Sequence, residues 1–351
     1  MAFTKSTGRA VLKIKRKGIY MSYGTKSYLI ICICLTSIIL SFSAGCEEQQ
    51  QAIDLYLDGV MLKELGENEL AVERLNSAVK LNKRLPSAYS LLGDIYQEQK
   101  NYEKSAASYE KATELNPLSF KDYFNLGRVY QIMKKIALAV KAYTRACELN
   151  PNHLDAHINA AKCYYEINDY KNALAAANRA EKIDSNVSEI QKMLGDIYES
   201  RKDYIQAVRS YKRALEIDSN NTEIMTSLAV IYLNTNRNEP AKELLISATQ
   251  IQPNNGTAHQ YLGYCYLRLD ELDKATESYI RSIEINDSDW EAHRGLGVAY
   301  MMKVIDKNTE DEQLKADLRA KAVQHWRQSL KLKPDQPHRE RLLKFIETYS
   351  K

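Results

Sequence analysis

The chain has 351 residues, with 49 Lys and Arg against 45 Asp and Glu and a formal charge of +4. At 44% hydrophobic and 27% charged residues, with only 13 Gly and 7 Pro, it is too apolar and too poor in breakers for a disordered or fibrous chain. Six cysteines spread over this length exclude a small disulfide scaffold.

The basic excess belongs to the first residues. Lys5, Arg9, Lys13, Lys15, Arg16, Lys17 and Lys26 precede any acid, which suits the non-translocated side of a membrane. From Ser27 to Cys46 there is no charge, and SYLIICICLTSIILSFSA reads as a secretion signal or a single span. Residues 1–45 are therefore expected to be a leader. Met21 opens a compact basic start, MSYGTK, and is read as the initiator. Ser43-Ala44-Gly45-Cys46 resembles the lipobox of bacterial lipoproteins, with Ser43 where that pattern usually has an aliphatic residue. The resemblance implies an exported lipoprotein anchored through lipid on Cys46, at either envelope membrane or the cell surface. The alternative is an uncleaved signal anchor. Loss of the leader removes all seven cations and takes the formal charge from +4 to −3, so no electrostatic case for nucleic acid remains.

After a short tether, 46–51, the sequence repeats itself. The glycines of YSLLGDIY, YFNLGRVY, IQKMLGDIY and YLGYCY stand at 93, 127, 195 and 263, separated by 34 residues or twice that, and Ala161 and Ala229 fill the slots between. Within 120–153, Leu126 and Tyr130 share one helical face, and Ala139, Tyr143 and Ala146 share the face of a second helix that Pro151 stops. These residues resemble the tetratricopeptide repeat. The resemblance implies an all-α, right-handed superhelical solenoid of helix-turn-helix repeats. Eight are expected, at 52–85, 86–119, 120–153, 154–187, 188–221, 222–255, 256–289 and 290–336, the last with a 13-residue insertion. A capping helix, 337–351, is expected to pack through Leu342, Leu343 and Ile346. Asp58 replaces the leucine of later repeats, which suits a terminal unit. The insertion predicts a long second helix over about 310–332, capped by Thr309 with Glu312 and projecting as a charged prong.

The chemical readings are bland. His157, His259 and His293 recur in the slot of Tyr89 and Tyr123, so they read as aromatic fillers rather than metal ligands, and His153, His325 and His338 read as scattered. Cys147, Cys163 and Cys265 read as small packing residues, with a Cys147–Cys163 disulfide left open. No GxSxG, Walker, HExxH or Gly-rich phosphate loop occurs, and the 15 residues after Gln336 hold no catalytic domain. The expectation is a non-enzyme without cofactor, metal or small-molecule substrate, whose partner is a protein or peptide.

Family resemblance places the ligand on the first helix of each repeat. In repeats three and four that face carries Lys121, Phe124, Arg128, Gln131, Asp155, Asn159, Lys162 and Tyr165. The Lys/Asn/Arg clamp of chaperone-binding members is absent in register, because Asp94, Arg128 and Asp196 stand where it has Asn. In repeats six to eight the same face carries Val230, Leu233, Tyr261, Tyr264, Leu267, Val298, Met301 and Met302, an apolar strip rimmed by Arg268, Glu291 and Arg294. The strip is expected to anchor the ligand, and the basic middle repeats to steer its acidic flanks. A membrane-tethered scaffold of the bacterial envelope is the leading reading. An assembly or secretion lipoprotein, pilotin-like or in exopolysaccharide export, and an uncleaved signal-anchored spacer are the alternatives.

Overall fold

The structure is a computed structural model and describes residues 47–306 and 311–350. The leader, Cys46 and Thr309 lie outside the described residues. Among those described, all regular structure is helical, and it divides into two compact units between Pro117 and Leu118. The first contains α1 (47–64), α2 (Asn68–Leu81), α3 (Pro86–Glu98) and α4 (Tyr102–Leu115). The second begins with α5 (Phe120–Ile132), α6 (Ile136–Leu149), α7 (Leu154–Glu166), α8 (Tyr170–Ile183), α9 (Ser188–Ser200) and α10 (Tyr204–Ile217). It continues through α11 (Thr222–Asn234), α12 (Asn238–Ile251), α13 (Gly256–Arg268), α14 (Leu272–Ile285), α15 (Trp290–Ile305), α16 (Glu312–Leu332) and α17 (Arg339–Tyr349).

Each odd-numbered helix from α1 to α13 folds back onto the next through a turn that the residue pattern does not announce. Gly66, Lys100, Lys134, Asn168, Lys202, Asn236 and Asp270, one every 34 residues, all sit at φ between 58° and 82°. In each, the following N–H reaches back five residues, as from Asn101 N to Tyr96 O at 2.8 Å and from Asp203 N to Tyr198 O at 2.9 Å. This is the left-handed helix stop that favours glycine. Six of the seven positions carry a side chain there.

What holds a pair together is a size match. A Cβ on Gly93, Gly127, Gly195 or Gly263 would come within 3 Å of the ring of Tyr109, Tyr143, Tyr211 or Tyr279, each sixteen residues on in the partner helix. Where alanine takes the glycine slot the tyrosine is gone: Ala161 shares a core with Ala177, and Ala229 with Leu245. Each tyrosine is nearly or fully buried, a burial worth roughly 2 kcal/mol or more. Burial holds the phenols of Tyr143, Tyr211 and Tyr279 well above their ordinary pKa. In the last pair Trp326 replaces the tyrosine and lies against Gly297.

Within the second unit the pairs stack with a bias. The first helices touch one another, α7 with α9, α11 with α13 and α13 with α15, whereas no two successive second helices among the described residues pack as closely. The first helices therefore form the inner wall of this stack. At the start of the first unit, Asp54 and Asp58 of α1 are exposed in the slots where α3 buries Ala88 and Leu92.

The insertion is shared between two helices. α15 has 16 residues where earlier first helices have 13, and α16 has 21 where second helices have 14. The start of α16 is capped by Asp311, whose carboxylate accepts from Gln313 N and Leu314 N, instead of by Thr309. The helix does not project as a prong along its length, because Leu314 lines a cleft with the start of α14 and Leu318 and Val323 are already buried. On α17, Leu342 is buried and Ile346 half-buried as expected, but Leu343 is exposed. Phe345 takes its place against Trp326 at 5.6 Å, since 342, 345, 346 and 349 form one helical face.

Candidate functional site

The inner wall changes character along the second unit. On α5, Lys121 and Arg128 are exposed, while Phe124 is half-buried in an aromatic group, 5.7 Å from Phe120, 5.1 Å from His153 and edge-on to Tyr143 at 5.9 Å. Phe124 is thus largely committed to packing. On α7, Asn159, Lys162 and Tyr165 are half-buried.

Lys162 and Tyr165 do come together, in a cleft of about 540 Å³ that also takes in Glu189, Lys192, Asp196 and Glu223 from α9 and α11. Here the charges pair from helix to helix. Lys162 bonds Glu189, and Lys192 bonds Asp196 and Glu223 at 3.0 Å each. Burial works against the charge of Lys192, yet its two carboxylates outweigh burial and its pKa rises. The Tyr211 hydroxyl donates to Asp196 at 2.6 Å and to Glu199 at 3.0 Å, and burial raises the Glu199 pKa. A ligand in this cleft exchanges one ion pair for another. Glu189 and Glu223 were missed as wall residues, although both share the 34-residue slot of Lys121 and Asp155.

Further along, Tyr264 is 41% exposed and Val298 36% exposed, in one slot of successive first helices. Val230, Tyr261, Leu267, Met301 and Met302 beside them are half-buried. Leu233 is corrected from groove to core: it is 2% exposed. Arg268 closes over the end of α11 there, donating to Leu233 O, to the Tyr264 hydroxyl and to Asn236 Oδ1 at 3.5, 3.2 and 2.5 Å. Met301 packs partly against the cluster of Trp326 and Leu342 that holds α17. Arg294 lies over the Trp290 ring, and Gln260 donates to Glu291 at 3.3 Å, so the polar rim is itself anchored.

The histidines do more than fill aromatic slots. Nε2–H of His157, His259 and His293 donates to the carbonyl six residues earlier, of Pro151, Pro253 and Asp287, at 3.1 to 3.2 Å. Each thereby pins the turn between pairs. His325 is not isolated either, since its Nδ1 lies 2.9 Å from Nδ1 of His293. Cys147, Cys163 and Cys265 are free thiols. Burial pushes them up to about 11, 12 and 11, far from the thiolate needed for nucleophilic or metal chemistry.

Sequence models of the tetratricopeptide repeat match residues 132–197 and 200–254, residues 59–100, and residues 86–117 with 257–289, together more than half of the chain. No curated protein matches it in sequence. Among solved structures it is similar to the C-terminal part of a TPR repeat-containing protein from Cytophaga hutchinsonii, with TM-score 0.57, 17% identity, and 69% of this chain and 99% of that one covered. It is also similar to the APC/C hetero-tetramer Cut9–Hcn1 at TM-score 0.54 and 14% identity, over 80% of this chain and 52% of that one. Pseudomonas aeruginosa pilF follows at TM-score 0.50 and 20% identity, covering 59% and 94%. At such identities the likeness is one of fold.

Proposed function

Because the chain belongs to the tetratricopeptide repeat family, we propose that it is a non-catalytic protein–protein interaction scaffold that holds a peptide or protein segment against the inner wall of its second unit. The observation that carries this reading is the pair of exposed apolar residues, Tyr264 and Val298, repeated on successive first helices beside half-buried Tyr261, Leu267 and Met302. An extended segment or an amphipathic helix is gripped by such a row, and the ion-paired cleft around Lys162 and Lys192 sets its polar register. Paired Tyr264→Ala and Val298→Ala changes should reduce partner capture from envelope fractions at least tenfold while leaving helical content unchanged. Capture that survives them and fails with Lys162→Glu and Lys192→Glu moves the anchor to the middle of the wall.

The scaffold is proposed to be exported and tethered to a bacterial envelope membrane through lipid on Cys46. Support comes from the basic start, the charge-free run from Ser27 to Cys46 and the small residues before the cysteine. No described helix is long and apolar enough to cross a membrane. Two or more acyl chains would anchor the protein stably where one is marginal. Mass spectrometry should find a mature N-terminus at Cys46 carrying acyl groups, and Cys46→Ala should abolish them. A protein that keeps residues 27–45 without lipid overturns the tether as stated and supports the uncleaved anchor.

A further inference from the structure

Between α14 and α16, on the side of the second helices, lies a cleft of about 900 Å³ that reaches the end of α17. Comparable clefts between second helices carry two acids each, and the one between α8 and α10 sets Arg209, Lys212 and Arg213 against Glu181 and Glu216. The one between α12 and α14 has Lys274 and Arg281 against Glu277 and Glu284, and in it Arg281 is tied to Glu284 at 3.1 Å. On α10 the same arrangement ties Arg213 to Glu216 at 2.8 Å. α16 breaks the pattern, because Gln328 and Lys331 occupy the slots of that arginine and glutamate once the insertion is allowed for. Arg319, Arg327 and Lys331 therefore line this cleft against a single acid, Asp287, and none of the three has an ion pair among the described residues.

We propose that this cleft is a second docking site, separate from the inner wall, for an acidic segment of a partner protein. Along α16 the three cations are spaced about 12 Å and 6 Å apart, at 1.5 Å per residue. An extended strand rises about 3.3 Å per residue, so carboxylates at positions 1, 5 and 7 of the segment meet them.

His325 makes the docking proton-dependent. His293 Nε2–H is spent on the Asp287 carbonyl, so its Nδ1 is the acceptor and Nδ1–H of His325 the donor of their shared bond. That leaves Nε2 of His325 as the atom that takes a proton. The Tyr300 ring of α15 lies 5.9 Å from the His325 ring, and the cleft that His325 lines also takes in His293, Asp287 before α15, Tyr349 from α17, and Arg319, Arg327 and Lys331 on its own helix. In the empty cleft, burial and then His293 hold its pKa down to about 4. A carboxylate partner offsets both. If it restores the ordinary value near 6.5, affinity rises about tenfold between pH 7.5 and 5.5.

The test uses the full chain in detergent and a fluorescein-labelled ten-residue oligoglutamate peptide, with oligolysine and a neutral Gly-Ser peptide as comparisons. Anisotropy should report binding of oligoglutamate alone, weakened at least tenfold by Arg319→Glu with Lys331→Glu. Both residues are solvent-accessible, and unchanged circular dichroism establishes that the variant is folded. His325→Gln should bind like the parent at pH 7.5 and lose the tightening at pH 5.5. Equal binding by the charge-reversed variant, or a loss reproduced by Lys162→Glu with Lys192→Glu, overturns the site. Tightening that persists in His325→Gln overturns the role of the histidine. Because the inner-wall variants are scored separately, failure here is distinguishable from failure of the scaffold reading.

Discussion

A missing methyl group at Gly195 is what lets the Tyr211 ring lie flat between α9 and α10, with the nearest ring atom 2.5 Å from where a Cβ would stand. Gly195→Ala should therefore lower stability by about 1 to 3 kcal/mol, read as a shift in urea midpoint, as overpacking does. Placed together with Tyr211→Leu it should cost much less than it does alone, because that combination already exists as Ala229 with Leu245. An undiminished penalty in the double variant would mean that the ring is not the cause. The left-handed turn residues make an opposite case. Lys202 sits at φ 61° with its side chain in solvent, so Lys202→Gly should raise stability by about 1 kcal/mol. The glycine and tyrosine slots were legible in the sequence because they recur in identity. The turn slot was not, since lysine, asparagine, aspartate and glycine share a backbone conformation and no chemical type.

At the scale of elements, α15 and α16 carry the departures. A spacing change told how many residues were inserted and that a long helix would follow, but not which of its residues return to the core. Leu318 and Val323 are hidden by contacts that only the folded chain makes. The same applies to His325, which lies far from His293 in sequence and 2.9 Å from it in space at Nδ1. Burial is the leading cause of a lowered pKa at His157, His259 and His325 alike. Folding thus keeps neutral three rings that the unfolded chain protonates below about pH 6.5. The unfolded state binds more protons, and stability falls as the pH drops from about 6.5 toward 4. Thermal melting followed from pH 7.5 to 4.5 should show this loss. His325→Gln should make the slope shallower, and an unchanged slope would remove His325 from the account.

At the scale of the whole molecule, stability is a sum over neighbouring helix pairs rather than the property of one core. The 34-residue spacing made the all-helical fold readable, since each slot meets the same neighbour in every pair. The candidate wall was readable only in part. Slot membership placed Tyr264 and Val298 correctly on an accessible face, yet it also placed Leu233 there, whose side chain belongs to the core cluster that α11 shares with the neighbouring helices. Asp54 and Asp58 bear on how such a chain can lengthen. Their slots are buried in α3, where an earlier pair packs over them, whereas on α1 they meet solvent. Copying an internal block such as 188–221 in tandem reproduces interfaces that already exist, and the longer protein should fold with proportionally more helical signal. Joining the same block ahead of α1 would press two carboxylates into an apolar seam at a cost of several kcal/mol each. Growth by duplication is therefore open between the later helix pairs and closed at the face of α1.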